Sequence, residues 1–437
     1  MTPRAAASAG QDEGSGESRA VTPRAAASAG QDEGSRAGRG PVDSDGLLTA
    51  RGVARQLAAA QGTGAALVAG GLAAGLGNAA SDIDIYLVGE HLPRARRQLA
   101  LGHRTVDVHQ LPRGELDALA RRVLDADLTG APDSTPVTDA DLILATRLCC
   151  AQVAAGHGYI APLLETLPEG KLRRLTIDRW LAAAFTALQD LAGFTALGDL
   201  RAQRPPPDSG TSKGAGSPAG SGPHRRADAA IASGGSTDAA FDREPDASAA
   251  VLCARSALLA SGKAVAAACG DLHDGGKWVF RQLERSAPDR FPLAEFADLI
   301  RCDPLGAGGR SIADLAALAQ TCLITAATLG WQSVPLSGWP AWTVGDGPLR
   351  RAPGFYPRAY EQTLVAAAPM RRSVRMRPDV ALVWGLCAGS AQDEVVWAAT
   401  GLRASAPAYA GLTERRCRAV IARLTASGLV LDGQSVA

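Results

Sequence analysis

Apolar and polar positions divide the chain into stretches of helical spacing, stretches of strand-like alternation, and two long stretches with neither. A helix is predicted at roughly 46–60, followed by a short apolar strand at Ala65–Ala69, a glycine-rich turn and a second strand at Ile83–Val88. The runs RARRQLAL (94–101) and RTVDVHQL (104–111) suit strands and are separated by Gly102 and His103, so they read as a hairpin. From about residue 113 the spacing turns helical: Glu115–Leu124, Asp139–Ala155, Leu172–Leu197, Ala250–Cys269, Trp278–Leu283 and Ile312–Leu329, with Thr138 and Ser311 as N-caps. Residues 331–360 read as irregular, and Trp339 and Trp342 within them as packing groups. The C-terminal part gives a helix from Val380, another near Asp393–Thr400, and a third, ERRCRAVIARLTASG, ending at Gly428 before a short extended run. That is the outline of a winged helix-turn-helix.

The two stretches without periodicity change the domain picture. Residues 1–15 recur almost unchanged at 21–35, but two copies without large apolar residues do not build a repeat array, so 1–44 read as disordered. Residues 204–249 are rich in Gly, Ser, Pro and Asp, with only Ile231 and Phe241 as large apolar groups. They read as a disordered insert that a helical domain tolerates, because loop closure costs little more as a loop lengthens. The predicted fold class is α+β. A small mixed-sheet domain (45–130) is followed by a helical domain (131–203 and 250–330), an irregular connector (331–370) and a winged-helix-like domain (371–437).

The chain has 437 residues, 46% hydrophobic and 20% charged, enough to bury a sizeable core. A formal charge of +1 excludes a global polyanion-binding field, so any nucleic-acid contact must be local. No uninterrupted apolar run reaches the roughly 18 residues of a membrane span, the N-terminus lacks a signal-peptide stretch, and the eight cysteines form no C-x-x-C pair. A cytoplasmic protein is expected, with no membrane partner.

The most informative segment is Gly70-Gly71-Leu72-Ala73-Ala74-Gly75, five further residues, and then Ser81-Asp82-Ile83-Asp84. Glycines after a buried strand let the backbone approach phosphate oxygens, and a following helix start supplies N–H donors. Asp82 and Asp84, two apart on a strand, share a face with backbones about 6.7 Å apart. Hard oxygen ligands in this number suit Mg²⁺ with substrate phosphates. Asp107, between Val106 and Val108, is the candidate third carboxylate on a neighbouring strand.

This arrangement resembles the nucleotidyltransferase superfamily typified by DNA polymerase β and the aminoglycoside nucleotidyltransferases, whose pattern is G-S-x-A-x-G, five residues, S-D-x-D, and a later strand Asp. The resemblance covers roughly residues 50–112. It implies that Gly70, Gly71, Gly75 and Ser81 contribute to holding the phosphates of an NTP, ATP first among candidates, and that Asp82, Asp84 and Asp107 bind Mg²⁺, with Asp107 completing the triad or acting as base. It also implies transfer of a nucleoside monophosphate to a hydroxyl acceptor. Gly71 departs from the pattern, which carries serine there.

Lys277, at a predicted helix start after Gly275 and Gly276, could reach a phosphate or stand solvated. Glu165 and Glu169 are weaker candidates for activating an acceptor, because their surroundings read as an exposed turn. Residues 371–423 hold nine arginines against four carboxylates, a patch suited to DNA or to a peptide. The rival reading is a DNA- or peptide-binding regulator whose transferase domain is degenerate and senses nucleotide.

Overall fold

The computed structural model describes residues 43–128, 137–203, 244–305, 311–360, 363–368 and 372–433. The repeat at 1–35 and most of the predicted insert lie outside them. The predicted boundaries of both disordered stretches shift: Asp43 caps the first helix by accepting from the Gly46 N–H at 2.8 Å, and helix already begins at Glu244.

Helix α1 (Ser44–Gln61) presents Gly46, Ala50, Ala54 and Ala58 every four residues, a stripe of small side chains that lets it lie close against a sheet. That sheet is built from β1 (Ala65–Ala69), β2 (Ile83–Gly89), β3 (Ala95–Leu101), β4 (Arg104–Pro112) and β5 (Gln152–Ala155), in the order β3-β4-β2-β1-β5. Only β2 and β4 run parallel; the other pairs are antiparallel. The expected hairpin is present, turning at Gly102 with φ +61°, and its free strand β3 is solvent-exposed along most of its length. Ala66, Val68, Ile83, Ile85, Leu87, Val106 and Val108 form one apolar face with α1, whereas Leu67, Tyr86 and Val88 face a second core shared with the helices.

A four-residue turn, α2 (Gly70–Ala73), follows β1; its brevity differs from the expected helix start, because Gly75 turns left-handed at φ +70° and ends it. Then come α3 (Arg113–Asp125) and α4 (Asp139–Cys149), whose Thr138 cap forms a reciprocal box with Asp141. The predicted continuation of α4 to Ala155 is corrected: Gln152–Ala155 is β5, bonded to the edge of β1 and ended by a left-handed Gly156. Next are α5 (His157–Thr166), α6 (Glu169–Gln203), α7 (Glu244–Ala268), α8 (Val279–Ser286, entered through a 3₁₀ turn at Gly276–Trp278), α9 (Leu293–Arg301) and α10 (Ile312–Thr325, extended by a π turn at Ala326–Gly330). Helices α6, α7 and α10 pack together through alanine-rich faces. The segments Asp246–Ala268 and Ile312–Gly330 are long and apolar enough to cross a membrane, yet 67% and 72% of their most apolar windows are buried here.

The stretch predicted to be irregular contains strands: β6 (Leu349–Arg351), β7 (Tyr356–Tyr360) and β8 (Thr363–Ala367), the last two forming an antiparallel sheet with β9 (Ser373–Met376). Strand β8 shows the alternating burial of a one-sided sheet, a signal too short to stand out between prolines and arginines. Trp339 and Trp342 are buried, as expected of packing groups. After α11 (Pro378–Leu386) come β10 (Ala388–Ser390), α12 (Gln392–Gly401), α13 (Glu414–Ala426) and β11 (Val430–Asp432). Strand β6 lies between β10 and β11 in one small sheet, so that sheet borrows its middle strand from upstream.

Arg351 on β6 ties these parts together. Its buried guanidinium donates to Gln320 Oε1 (3.1 Å) and Thr321 Oγ1 (2.7 Å) of α10 and to the Gly385 carbonyl of α11, and burial lowers its pKa to about 10. Replacing Arg351 by Met strands three buried acceptors, so we expect a loss of about 2–4 kcal/mol of stability. A denaturant midpoint within error of the parent's would contradict this.

Candidate active site

The polar end of the five-stranded sheet faces a cleft of about 250 Å³ lined by Gly70, Gly71, Ser81, Asp82, Asp84, Arg96, Asp107, His109, Arg147, His273, Gly275, Lys277 and Trp278. Of the residues singled out in the sequence, Gly70, Gly71, Ser81, Asp82, Asp84, Asp107 and Lys277 line it; Gly75, Glu165 and Glu169 do not. The register explains the meeting: Asp84 stands directly opposite Asp107 across the parallel β2–β4 pair, and Ala69, just before the glycine turn, stands opposite Asp84. Because side chains alternate, Asp84, Asp107 and His109 share the face turned away from α1.

Each glycine of the turn has a distinct reason. Gly70 has φ +74°, and a Cβ there would lie 2.0 Å from Asp84 Oδ2, so any side chain would displace the carboxylate. A Cβ at Gly71 would stand 2.7 Å from the Trp278 indole nitrogen: the space a serine needs is filled by the opposite wall. Gly75 ends the short turn. Ser81 braces the next one, accepting from the Asn78 N–H at 2.9 Å and donating to Asn78 Oδ1 at 3.2 Å, and thereby sets exposed Asp82 at the mouth.

The three expected carboxylates line one cleft, but they do not form a ready-made metal site. Among the described residues, no group of three or more His, Cys, Asp or Glu side chains is arranged to hold a metal ion. Asp82 lies just before β2 and lines the cleft with Asp84. Asp107 is turned toward Arg96, 2.9 Å from its Oδ2. Burial pushes the Asp107 carboxyl up, but the Arg96 guanidinium bonded to it, aided by the nearby Gln98 amide and the His109 ring, outweighs this and holds it below the usual aspartate value. Its other oxygen, Oδ1, is buried without a hydrogen-bond partner, and so is His109 Nε2, which lies 3.8 Å from Asp84 Oδ1. A paired carboxylate neighbour and an orphaned buried oxygen fit Mg²⁺, which takes one or two carboxylates and leaves the rest of its shell to water and phosphate.

His109 stacks on Tyr86 (4.6 Å between ring centroids, 11° between planes), and the Tyr86 hydroxyl meets Arg147 Nη1 at 3.3 Å, which anchors that cation beside the acids.

The second wall is the loop from Asp271 to Trp278. Asp271 is buried and held by Arg285 through both oxygens (2.6 and 2.9 Å) and by Gln282 at 2.8 Å. Arg285 also donates to the Ala74 carbonyl, and Arg281 to that of Leu76 at 2.6 Å, so α8 clamps the glycine turn from behind. Buried Lys263 donates to His273 O and Gln282 Oε1; burial lowers its pKa to about 8. His273 is 4% exposed with neither ring nitrogen paired, and burial first, then the Lys263 charge, holds its pKa near 4.

Arg96, His109, Arg147 and His273 escaped the sequence reading. Arg96 and His109 had a signal, because the two-residue turn at Gly102–His103 sets Gln98 opposite Asp107 and Arg96 opposite His109. Arg147 and His273 had none. Glu165 and Glu169 are exposed and outside the cleft, Glu169 pairing with Arg173 at 3.0 Å. The C-terminal arginine patch is partly spent internally: Arg377 and Arg416 pair with buried Asp379, Arg418 with Asp393, and Arg372 donates to the Ser427 carbonyl. Arg415 and Arg423 line a shallow groove of about 250 Å³ with Val380 and Thr413.

No protein-family model and no curated protein matches this chain.

Two outcomes follow from this geometry. Gly71→Ser should destabilise the protein by about 1–3 kcal/mol through overpacking against Trp278, and Gly71→Ser with Trp278→Ala should recover part of that loss. A double-mutant cycle measures this, and strict additivity would contradict it. The folded His273 pKa, about 4, lies below its ordinary 6.5, so the unfolded chain binds the extra proton first and stability falls as pH drops through that window. His273→Gln should flatten that part of the pH–stability curve; an unchanged slope would contradict it.

Proposed function

We propose that the protein is a Mg²⁺-dependent nucleotidyltransferase that moves a nucleoside monophosphate from an NTP, ATP first among candidates, to a hydroxyl acceptor. One observation carries this reading: buried polar atoms without partners, on Asp107, His109 and His273, gather in one cleft beside a glycine turn and two further acids. Buried polar groups are ordinarily paired, so such a cluster marks a place where a ligand completes the bonding.

Asp84 and Asp107 would hold the cation, with Asp82 at the mouth. Mg²⁺ bound there supplies neutralisation of phosphate charge and activation of the attacking hydroxyl. Gly70 and Gly71 bring backbone close to the phosphates, and the Trp278 indole N–H stands where the family's serine would offer its hydroxyl. Arg147 and Lys277 face the charge that builds on the leaving diphosphate. The acceptor oxygen forms a bond to the α-phosphorus as the bond to the bridging oxygen breaks, and His109 Nε2, which makes no hydrogen bond and lies 3.8 Å from Asp84 Oδ1, takes the hydroxyl proton. A volume near 250 Å³ lies at or below the lower end for small-molecule sites, roughly 300–1,000 Å³, so it suits the phosphates, while nucleoside and acceptor extend beyond it.

In this reading the helices of 131–203 and 250–330 present the acceptor, and 371–437 is a winged-helix-like module, with Arg415 and Arg423 available to DNA or a peptide. The setting is the cytoplasm, where NTP and Mg²⁺ are abundant. The nucleotide-sensing regulator remains the competing class.

Incubation with α-phosphate-labelled NTPs, Mg²⁺ and pools of small-molecule and macromolecular acceptors should give label transfer, and Asp84→Asn should reduce it at least about 100-fold with the fold kept, the scale on which one charge-stabilising group acts. Absence of both NTP binding and transfer contradicts the proposal.

A further inference from the structure

Arg96 is placed unlike the other cations of the cleft. It projects from the edge strand β3, its side chain is 60% exposed, and it reaches back to Asp107, whose side chain is only 10% exposed. The arginine can leave by rotating its own side chain, whereas Asp107 sits in a central strand between β2 and β3 and cannot follow. While the pair is closed, Asp107 Oδ2 is taken by the guanidinium, and a divalent ion approaching Oδ1 meets a positive charge on the same carboxylate. An anionic polyphosphate reverses the balance, because guanidinium binds phosphate oxygens in a fork of parallel hydrogen bonds and would give up the carboxylate for them.

We infer that Arg96 is a positioning residue that makes cation binding at Asp84 and Asp107 conditional on polyphosphate: it neutralises Asp107 while the cleft is empty and transfers to the phosphates when they arrive, freeing the carboxylate. This rests on the nucleotidyltransferase reading and adds to it a coupling between two ligands. It also accounts for the lack of a preformed three-carboxylate arrangement among the described residues, since one of the three is held by an arginine. Linkage requires the effect to be mutual: whatever polyphosphate does for the cation, the cation does for polyphosphate.

The test uses the full chain and calorimetric titration with Mn²⁺ alone, inorganic tripolyphosphate alone, and the preformed Mn²⁺–tripolyphosphate complex. In the parent protein, Mn²⁺ alone should bind weakly and the complex tightly. Arg96→Gln should bind Mn²⁺ alone about tenfold tighter, within the range of measured couplings, and metal-free tripolyphosphate several-fold more weakly. Arg96→Lys, which keeps the charge, should stay near the parent for Mn²⁺ alone. Asp107→Asn in the Arg96→Gln background should lose the gained affinity, locating the ion. Unchanged or weakened Mn²⁺ binding in a folded Arg96→Gln protein overturns the coupling while leaving the enzyme reading in place. Failure of the parent and Arg96→Gln alike to bind Mn²⁺, tripolyphosphate or their complex overturns both.

Discussion

The parallel pairing of β2 with β4 is the constraint on which the polar end of the molecule depends. Its register sets Asp84 opposite Asp107 and, through alternation, turns Ile83, Ile85, Val106 and Val108 under α1. A slip of one residue in either strand would drive a carboxylate into that alanine-lined layer and expose its apolar neighbours, at a cost no local rearrangement offsets. The core therefore fixes the acids. The apolar layer and the paired acids lie in the same two strands, on opposite faces.

One wall does not make a cleft. The opposite one, from Asp271 to Trp278, has almost no regular structure, yet it is held from behind by a buried lysine, a buried aspartate and two arginines that reach across to the glycine turn. Trp278 fills the space over Gly71, so a side chain at Gly71 and the indole cannot both be accommodated there. Three acids and three cations, Arg96, Arg147 and Lys277, line the enclosed space. Under the proposed function, that mixture serves a ligand that brings phosphate and a metal ion together.

Much of this was legible in the sequence because it is local. The glycine turn, the S-D-x-D segment and Asp107 could be placed by spacing, and the turn at Gly102–His103 fixed the hairpin register. Asp82 reaches the cleft from the turn, not from the strand, because the Asn78–Ser81 turn delays β2 until Ile83. Strand β5 read as helix because an alanine-rich run has no strong preference of its own; the open edge of β1 decided it. Strand β6 was invisible for the same reason, since its partners β10 and β11 lie dozens of residues away. His273 and Arg147 enter the site only through tertiary packing, which no spacing encodes.

The central claim is that this cleft binds the phosphates of a nucleotide with a divalent ion. A crystal structure of the protein with a non-hydrolysable NTP and Mg²⁺ tests it most directly. The account predicts phosphates against Gly70 and Gly71, an ion shared between them and the carboxylates of Asp84 and Asp107, and Arg96 on a phosphate. Nucleotide bound elsewhere, or phosphates bound in the cleft with no ion at Asp84 and Asp107, would contradict it.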